Sequence, residues 1–235
     1  GFAQAGGTVI ASGDTTGLSC LGIKTLGERK TGLMSSAFEV REEDEAAFPR
    51  CVEAPILPIG PELQMAEFEE GTQRYLRFIP EHPYGPPERC YYTEVTDHPG
   101  VTVHQHGTGR GVYIPWGVGA FYFNQGWQNT LNVMRDVLFS LCALPELAPG
   151  LSPMVELTLA KKDGLVLAQL VNTSGCFANR WFPPLPVRDI RLELPELTGK
   201  TARALNGGKV KCESKEDKLI ISMDVLNEYE AIIME

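Results

Sequence analysis

Histidine and cysteine are scarce in this chain of 235 residues, and neither forms a metal-binding pattern. There are four histidines and six cysteines, and no two cysteines have the C-x-x-C spacing of a structural zinc site. The cysteines are also too few and too scattered for a small disulfide-rich secreted domain, so we expect most of them to be reduced. Long apolar runs are missing too, since none approaches the roughly 20 residues that span a bilayer.

Basic residues are outnumbered by acidic ones, 21 to 30, which gives a net charge of −9 and a pI near 5.1. Nucleic acids and anionic membrane surfaces both bind to basic faces, so the composition disfavours these two partners. No charged-then-apolar leader opens the chain, and we expect a cytoplasmic protein. The first predicted strand already begins at Thr8, and we therefore expect the chain to be part of a longer protein.

The segment at residues 107–142 is the most informative one. Its apolar run at 111–115 predicts a buried strand, a glycine-rich aromatic loop follows, and residues 124–142 predict an amphipathic helix. Strand, loop and helix in this order form one repeat of an open α/β sheet, in which ligands bind at the carboxyl ends of the strands. Arg135 and Asp136 fall on the predicted solvent face of the helix. Its predicted apolar stripe consists of Leu131, Met134, Leu138, Leu141 and Cys142.

Prolines and a glycine at residues 145–150 end this helix and predict a domain boundary. Residues 1–145 are predicted to form an α/β domain, in which the strands at 7–12 and 111–115 lie at the centre of the sheet, buried on both faces. Residues 151–235 alternate between apolar and polar with a period of two, and turn signals separate six or seven short strands. This pattern predicts a small antiparallel β-sandwich. Shorter elements predicted in the first domain are strands at 35–41, 54–59, 63–68, 74–79 and 101–105 and a charged surface segment at 44–47.

Aromatic side chains after the strand at 111–115 are the main contact candidates. Trp116, Tyr122 and Trp127 lie in the predicted loop and at the start of the helix. Sugars stack on such rings through their C–H faces, whereas the alternative is packing against another domain or subunit. Glu88, in the proline-rich segment 80–88, and Glu94 are candidate carboxylates. Glycoside hydrolysis requires two carboxylates flanking one bond, and the sequence does not select such a pair.

Three further residues have weaker patterns. His104 and His106 share one face of a predicted strand, but no third ligand follows at a suitable spacing, so no metal is predicted and His106 stays a contact candidate. Cys20 follows the first strand closely, as a nucleophile would in a thiol hydrolase. However, Leu18 occupies a position at which a nucleophile elbow requires a small residue. These patterns predict no cofactor and no catalytic residue.

Three segments carry a family resemblance. They are GGTVIASGD at residues 6–14, HPYGPPE at 82–88, and GTGRGVYIPW at 107–116 together with Tyr122 and the helix that follow it. Together they resemble the β-galactosidase trimerisation-like domain of bacterial glycoside hydrolases. This resemblance implies a flavodoxin-like domain, related to class I glutamine amidotransferases, that has lost their nucleophile and is incomplete in this chain. It also implies a catalytic (β/α)8 barrel upstream, which holds the catalytic glutamates, and a β-sandwich downstream.

The resemblance favours a non-catalytic C-terminal region of a glycoside hydrolase, acting in carbohydrate metabolism. Such a region would serve oligomerisation or active-site capping, with the barrel, a second copy of the chain or a saccharide as its partner. One alternative is a carbohydrate-binding module that uses the loop aromatics as its platform. A second alternative is a thiol hydrolase of the amidotransferase-like class that uses Cys20.

Overall fold

A computed structural model describes residues 1–15, 17–83, 85–86, 88–177 and 179–235 of the chain. These residues form two compact units, Gly1–Leu144 and Pro145–Glu235. Tyr84 and Pro87, which belong to the segment HPYGPPE, lie outside the described residues. Within the described part of the chain, no helix is both long and apolar enough to cross a membrane.

Unit 1 contains a six-stranded sheet and a separate two-stranded one. The six-stranded sheet has the order β1-β8-β7-β6-β3-β4, and β2 pairs with β5 in the smaller sheet. The strands predicted from the sequence are present with shifted ends, whereas β2 was not predicted. The strands are β1 (Thr8–Ser12), β2 (Ile23–Thr31), β3 (Ala37–Glu39), β4 (Ile56–Pro58), β5 (Glu62–Phe68), β6 (Gln73–Ile79), β7 (Pro99–His106) and β8 (Gly109–Ile114).

Strand direction distinguishes this sheet from that of a flavodoxin-like domain, which is parallel. Only β1 and β8 run parallel, and the other four neighbouring pairs are antiparallel. A two-residue turn explains why β7 and β8 are antiparallel. Gly107 and Thr108 connect the two strands, and Gly107 has a φ of +65°. Such a turn is too short for the crossover that a parallel pair requires.

The strand β1 lies at the edge of the sheet, so the prediction that it is central and buried on both faces is wrong. It pairs with β8 on one side, and the side chain of Ile10 is 38% exposed. By contrast, β8 lies inside the sheet and is buried, as predicted. The apolar core of unit 1 contains Phe38, Phe78 and Val112 from the strands and Val133 from the helices.

The segment after β8 is more helical than predicted. The predicted aromatic loop contains the helix α1 (Val118–Gln125), and the second helix begins at Gln128 instead of residue 124. This helix, α2 (Gln128–Arg135), continues as a π-helix at Asp136–Leu141. The buried face contains Val133, Asp136, Val137 and Cys142, and Met134 and Leu141 also pack against the core, so the predicted stripe is confirmed in part. Asp136, however, does not lie on a solvent face.

A further correction concerns one residue of the charged segment at 44–47, whose next two residues, Glu45 and Ala46, are exposed as the surface prediction requires. Asp44 is fully buried at the end of a short 3₁₀-helix, Glu42–Asp44. Its Oδ2 accepts hydrogen bonds from the backbone N–H groups of Arg41 (3.1 Å) and Leu76 (3.2 Å). Oδ2 of the buried carboxylate thus satisfies two backbone donors, whereas Oδ1 finds no hydrogen-bond partner among the described residues.

Unit 2 consists of antiparallel sheets, as predicted. One sheet has the order β14-β17-β10-β9, the other β13-β16-β15, and apolar residues from both form one core. Cys176–Phe177 (β11) and Arg180–Trp181 (β12) form a small separate hairpin. The sandwich strands are β9 (Val155–Lys162), β10 (Leu165–Asn172), β13 (Val187–Pro195), β14 (Ala202–Ala204), β15 (Val210–Lys215), β16 (Lys218–Leu226) and β17 (Tyr229–Met234).

Candidate functional site

The candidate site is organised by a corner between α1 and α2. Gly126 ends α1 in the left-handed conformation, with a φ of +66°, and its N–H donates to the carbonyl of Tyr122 at 2.7 Å. Glycine adopts this conformation without a steric cost, which makes it a common helix terminator. Trp127 follows in an extended conformation and precedes the first turn of α2. The sequence Gly-Trp therefore places an indole at the corner, where 43% of the residue is exposed.

A groove of about 630 Å³ lies beside this corner, entirely within unit 1. Trp127 borders it, and its ring meets the ring of Phe121 edge-on, with 5.3 Å between the centroids. This aromatic contact limits the orientations that the exposed indole can adopt. The lining residues are Leu33, Met34, Pro58, Ile59, Gly60, Pro61, Ala120, Phe121, Asn124, Gln125 and Trp127.

The part of the groove lining that contains Met34 is held by hydrogen bonds from the proline-rich segment after β6. The N–H of Met34 donates to Oε1 of Glu81 (3.2 Å). Ser35 Oγ donates to the carbonyl of His82 (2.7 Å) and accepts from its N–H (3.1 Å). Met34 is consequently fixed through its backbone while its side chain is 90% exposed.

Gly60 brings the two sides of the groove close together. A Cβ atom at this position would lie 3.2 Å from the carbonyl oxygen of Leu33 and 3.5 Å from the ring of Phe121. The first distance is tighter than an ordinary contact, so a larger residue would push the backbone at Leu33 outwards, whereas the second is an ordinary van der Waals contact. The absence of a side chain at Gly60 thus lets the backbone at Leu33 approach it closely.

The predicted contact residue Trp116 does not belong to this surface. It is 1% exposed and packs against Phe38 and Phe121, and its Nε1 donates to the carbonyl of Gly100 at 3.3 Å. A buried indole with its N–H satisfied is a core residue, so the prediction that Trp116 contacts a sugar or partner is wrong. It supports the site through its contact with Phe121, which lines the groove.

The other predicted contact residues are dispersed. Tyr122 is half-buried on α1 but does not line the groove, and Glu88 is exposed in the segment between β6 and β7. His106 pairs with Gly109 at the start of β8, whereas Trp116 follows the end of that strand. The hairpin of β7 and β8 therefore separates His106 from the groove. The structure brings only Trp127 to the groove, where it joins Met34, Asn124 and Gln125, which the sequence did not single out.

Cys20 lies in a short 3₁₀-helix, Ser19–Leu21, and is 8% exposed. It belongs to an apolar cluster with Leu21, Phe68 and Tyr113. A thiol hydrolase requires an accessible thiolate next to a base, and this environment is apolar and closed. All six cysteines, each within the described residues, are free thiols.

The histidines and acidic residues of the described ranges form no group of three that could hold a metal ion. His104 instead pairs with surface residues: its Nδ1 lies 3.0 Å from Oγ1 of Thr72 and its Nε2 lies 3.6 Å from a carboxylate oxygen of Glu69. Such contacts are typical of a structural histidine at a strand surface.

Buried ionisable groups are part of the core and do not line the groove. Burial lowers the pKa of His98 to about 4. The Cys51 thiol is buried beside Asp136, and burial together with that carboxylate raises its pKa to about 12. Burial also raises the pKa of Asp44, although its two backbone hydrogen bonds oppose this shift. We therefore assign these groups to packing and not to acid–base chemistry.

The fold of the chain resembles parts of known glycoside hydrolases. No family model matches the chain. No curated protein matches its sequence either. Among solved structures, α-L-fucosidase isoenzyme 2 from Paenibacillus thiaminolyticus matches 98% of this chain and 37% of its own length, at 16% identity and a TM-score of 0.66.

Two β-galactosidases also match in structure. The enzyme from Bacillus circulans sp. alkalophilus matches 100% of this chain at 13% identity, with a TM-score of 0.57. The cold-adapted enzyme from Rahnella sp. R3 matches 100% at 16% identity, with a TM-score of 0.52. The chain spans about a third of the length of these proteins, 37%, 30% and 29% respectively. At these identities the comparisons establish a shared fold that includes both units.

Proposed function

We propose that this chain is a non-catalytic C-terminal region of a glycoside hydrolase whose catalytic barrel lies elsewhere in a longer polypeptide. The observation that carries the proposal is that the whole chain, both units together, matches about a third of the length of an α-L-fucosidase and of two β-galactosidases. The remaining two thirds of those proteins are large enough for a barrel of about 250 residues. Function follows from a site and not from a fold, so the catalytic carboxylates are assigned to that absent part.

The exposed apolar surface of unit 1 supports a role in contacts with another domain or subunit. Next to the edge strand β1, a shallow apolar groove of about 240 Å³ is lined by Ile10, Met134 and Leu138, among other residues. Met34 and Phe123 are also exposed, at 90% and 88%. Exposed apolar surface of this kind is typical of contacts with another domain or subunit. We propose that it serves oligomerisation of the enzyme or capping of its active site.

The parallel pair of β1 and β8, followed directly by α1 and α2, supports a relation to the flavodoxin-like trimerisation domain. In such domains parallel strands alternate with helices that cover the sheet. We propose that unit 1 retains one such repeat beside an antiparallel extension formed by β7, β6, β3 and β4.

Hydrolysis assays test this proposal. The polypeptide encoded by the complete reading frame and the chain of residues 1–235 are each incubated with 4-nitrophenyl β-galactoside and 4-nitrophenyl α-L-fucoside. We expect the longer protein to hydrolyse at least one substrate and the chain alone to hydrolyse neither. Hydrolysis by the chain alone, or a complete reading frame without a barrel, would overturn the proposal.

A further inference from the structure

The residues that line the groove beside Trp127 are uncharged, and a charged group next to them is the carboxylate of Glu81, which accepts the N–H of Met34. Lysine, arginine, aspartate and glutamate make up 22% of the sequence, yet none of them is among the lining residues that the structure describes. An anionic ligand would find no cationic partner in this lining, and the carboxylate of Glu81 already accepts a hydrogen bond from the N–H of Met34. The groove therefore favours an uncharged ligand.

The polar groups of the groove are amides. Asn124 and Gln125 are exposed on the last turn of α1, next to Trp127. Each side-chain amide offers two donor hydrogens and one acceptor oxygen, so the pair can bind hydroxyl groups that both donate and accept. A ligand that is neutral and rich in hydroxyls matches this chemistry, whereas an apolar ligand would leave the amides unsatisfied.

The groove also offers apolar groups next to these amides. The indole of Trp127 is held edge-on by Phe121, and the exposed residue Met34 also lines the groove. A sugar ring has an apolar C–H face and a rim of hydroxyls. An aromatic ring with amide groups beside it can contact both. The volume of about 630 Å³ lies within the range of small-molecule sites.

We propose that this groove binds a neutral saccharide, with the sugar ring stacked on Trp127 and its hydroxyls hydrogen-bonded to Asn124 and Gln125. The choice of a saccharide rests in part on the proposed function. Such a site would hold part of a glycan on the non-catalytic region while the barrel acts on another part.

NMR titration of the chain of residues 1–235 with D-galactose, lactose and L-fucose tests the proposal. We expect the indole N–H signal of Trp127 and the side-chain amide signals of Asn124 and Gln125 to shift and saturate, with a dissociation constant on the order of 1 mM for at least one sugar. Trp181, which is 76% exposed in unit 2, provides an internal control whose signal stays unchanged.

Two substitutions separate a saccharide site from a protein-binding surface. Trp127→Ala should weaken sugar binding about tenfold or more, whereas Phe123→Ala, on the same helix but outside the groove, should leave it unchanged. Retained sugar binding in a folded Trp127→Ala variant would overturn the proposal. So would the absence of saturable shifts up to 100-fold above the expected dissociation constant, on the order of 100 mM.

A self-association that both substitutions abolish, without any sugar binding, would overturn the proposal in favour of a protein interface. The hydrolysis assays of the longer protein are independent of this titration. Activity of the longer protein without sugar binding here would leave the proposed function intact and reject the saccharide site.

Discussion

The guanidinium of Arg50 donates a hydrogen bond of 2.8 Å to Oδ1 of Asp136, a carboxylate that is fully buried. The backbone N–H of Arg50 donates to the other carboxylate oxygen at 3.0 Å, and Asn132 Nδ2 donates to the carbonyl of Arg50 at 2.9 Å. These bonds join the 3₁₀-helix Pro49–Cys51 to the helical segment formed by α2 and the π-helix. The ion pair thereby fixes the position of the helix that begins at the candidate site.

Arg50→Met should destabilise unit 1, because it leaves the buried carboxylate of Asp136 without its cationic partner. Removing one member of a buried pair costs about 3–5 kcal/mol, and the partial exposure of Arg50 reduces this to about 2–3 kcal/mol. Urea denaturation followed by circular dichroism measures the effect. The control is Arg203→Met, whose surface pair with Glu235 should contribute less than about 1 kcal/mol. Equal losses in the two variants would contradict the prediction.

Stability should fall as the pH is lowered from 6.5 towards 4, in part because of His98. Its Nε2 accepts a hydrogen bond from the N–H of Ala66, and burial lowers its pKa from the ordinary 6.5 to about 4. Between pH 6.5 and pH 4 the His98 imidazole binds a proton in the unfolded chain but not in the folded protein. Its contribution to stability is therefore complete above pH 6.5 and is lost as the pH falls.

His98→Gln should reduce this loss between pH 7 and pH 4 by on the order of 2 kcal/mol, because glutamine keeps an acceptor and does not titrate. Urea midpoints of the wild type and the variant at both pH values measure the difference. The carboxylates titrate in both proteins and cancel in the comparison. Identical pH dependence in the two proteins would refute the role of His98.

Asp44→Ala should destabilise unit 1 by about 2 kcal/mol, because the backbone N–H groups of Arg41 and Leu76 would lose their acceptor. Asp44→Asn keeps an acceptor oxygen and removes a buried charge, and its cost should be about 1 kcal/mol or less. Burial raises the pKa of Asp44, which shows that the fold disfavours its charged form. Thermal unfolding of the two variants tests the order, and a larger loss for Asp44→Asn would contradict it.

Gly111→Ala and Gly119→Ala should have opposite effects. A Cβ atom at Gly111 would collide with the backbone carbonyl of Cys20, whereas one at Gly119, inside α1, meets no atom within 4 Å. We expect Gly111→Ala to cost about 3 kcal/mol through overpacking and Gly119→Ala to gain about 0.5–1 kcal/mol through helix propensity. Melting temperatures of the two variants measure both effects. An unaltered melting temperature for Gly111→Ala would mean that β8 and the segment at Cys20 are not in close contact.

Apolar runs and turn residues predicted the strands of both units apart from β2, β11 and β12, because burial and chain reversal leave local signals. The position of β1 was not predictable in this way. Its sequence is as apolar as that of β8, and only the pairing of distant strands places it at the edge. The buried Asp44 and Asp136 were missed for a similar reason, since their partners Leu76 and Arg50 lie 32 and 86 residues away.

The groove was predictable only in part. Trp127 stands out because tryptophan is rare and the glycine before it ends a helix. Met34, Gly60 and Asn124 come from separate segments, and none has a local pattern that distinguishes it from an ordinary surface or turn residue. Trp116 was misassigned because the sequence shows that an aromatic residue follows a strand but not on which side of the sheet it lies.

The π-helix Asp136–Leu141 has a consequence for the alignment of this chain with its relatives. The N–H of Cys142 donates to the carbonyl of Val137, five residues earlier, so this turn holds one residue more than an α-helical turn. A relative with a regular α-helix here would be one residue shorter. In an alignment the gap in the relative therefore belongs inside the helix, between the positions of Val137 and Cys142. A gap placed in the loop at 145–150 instead would misalign the residues between the π-helix and that loop, among them the buried Cys142, by one position.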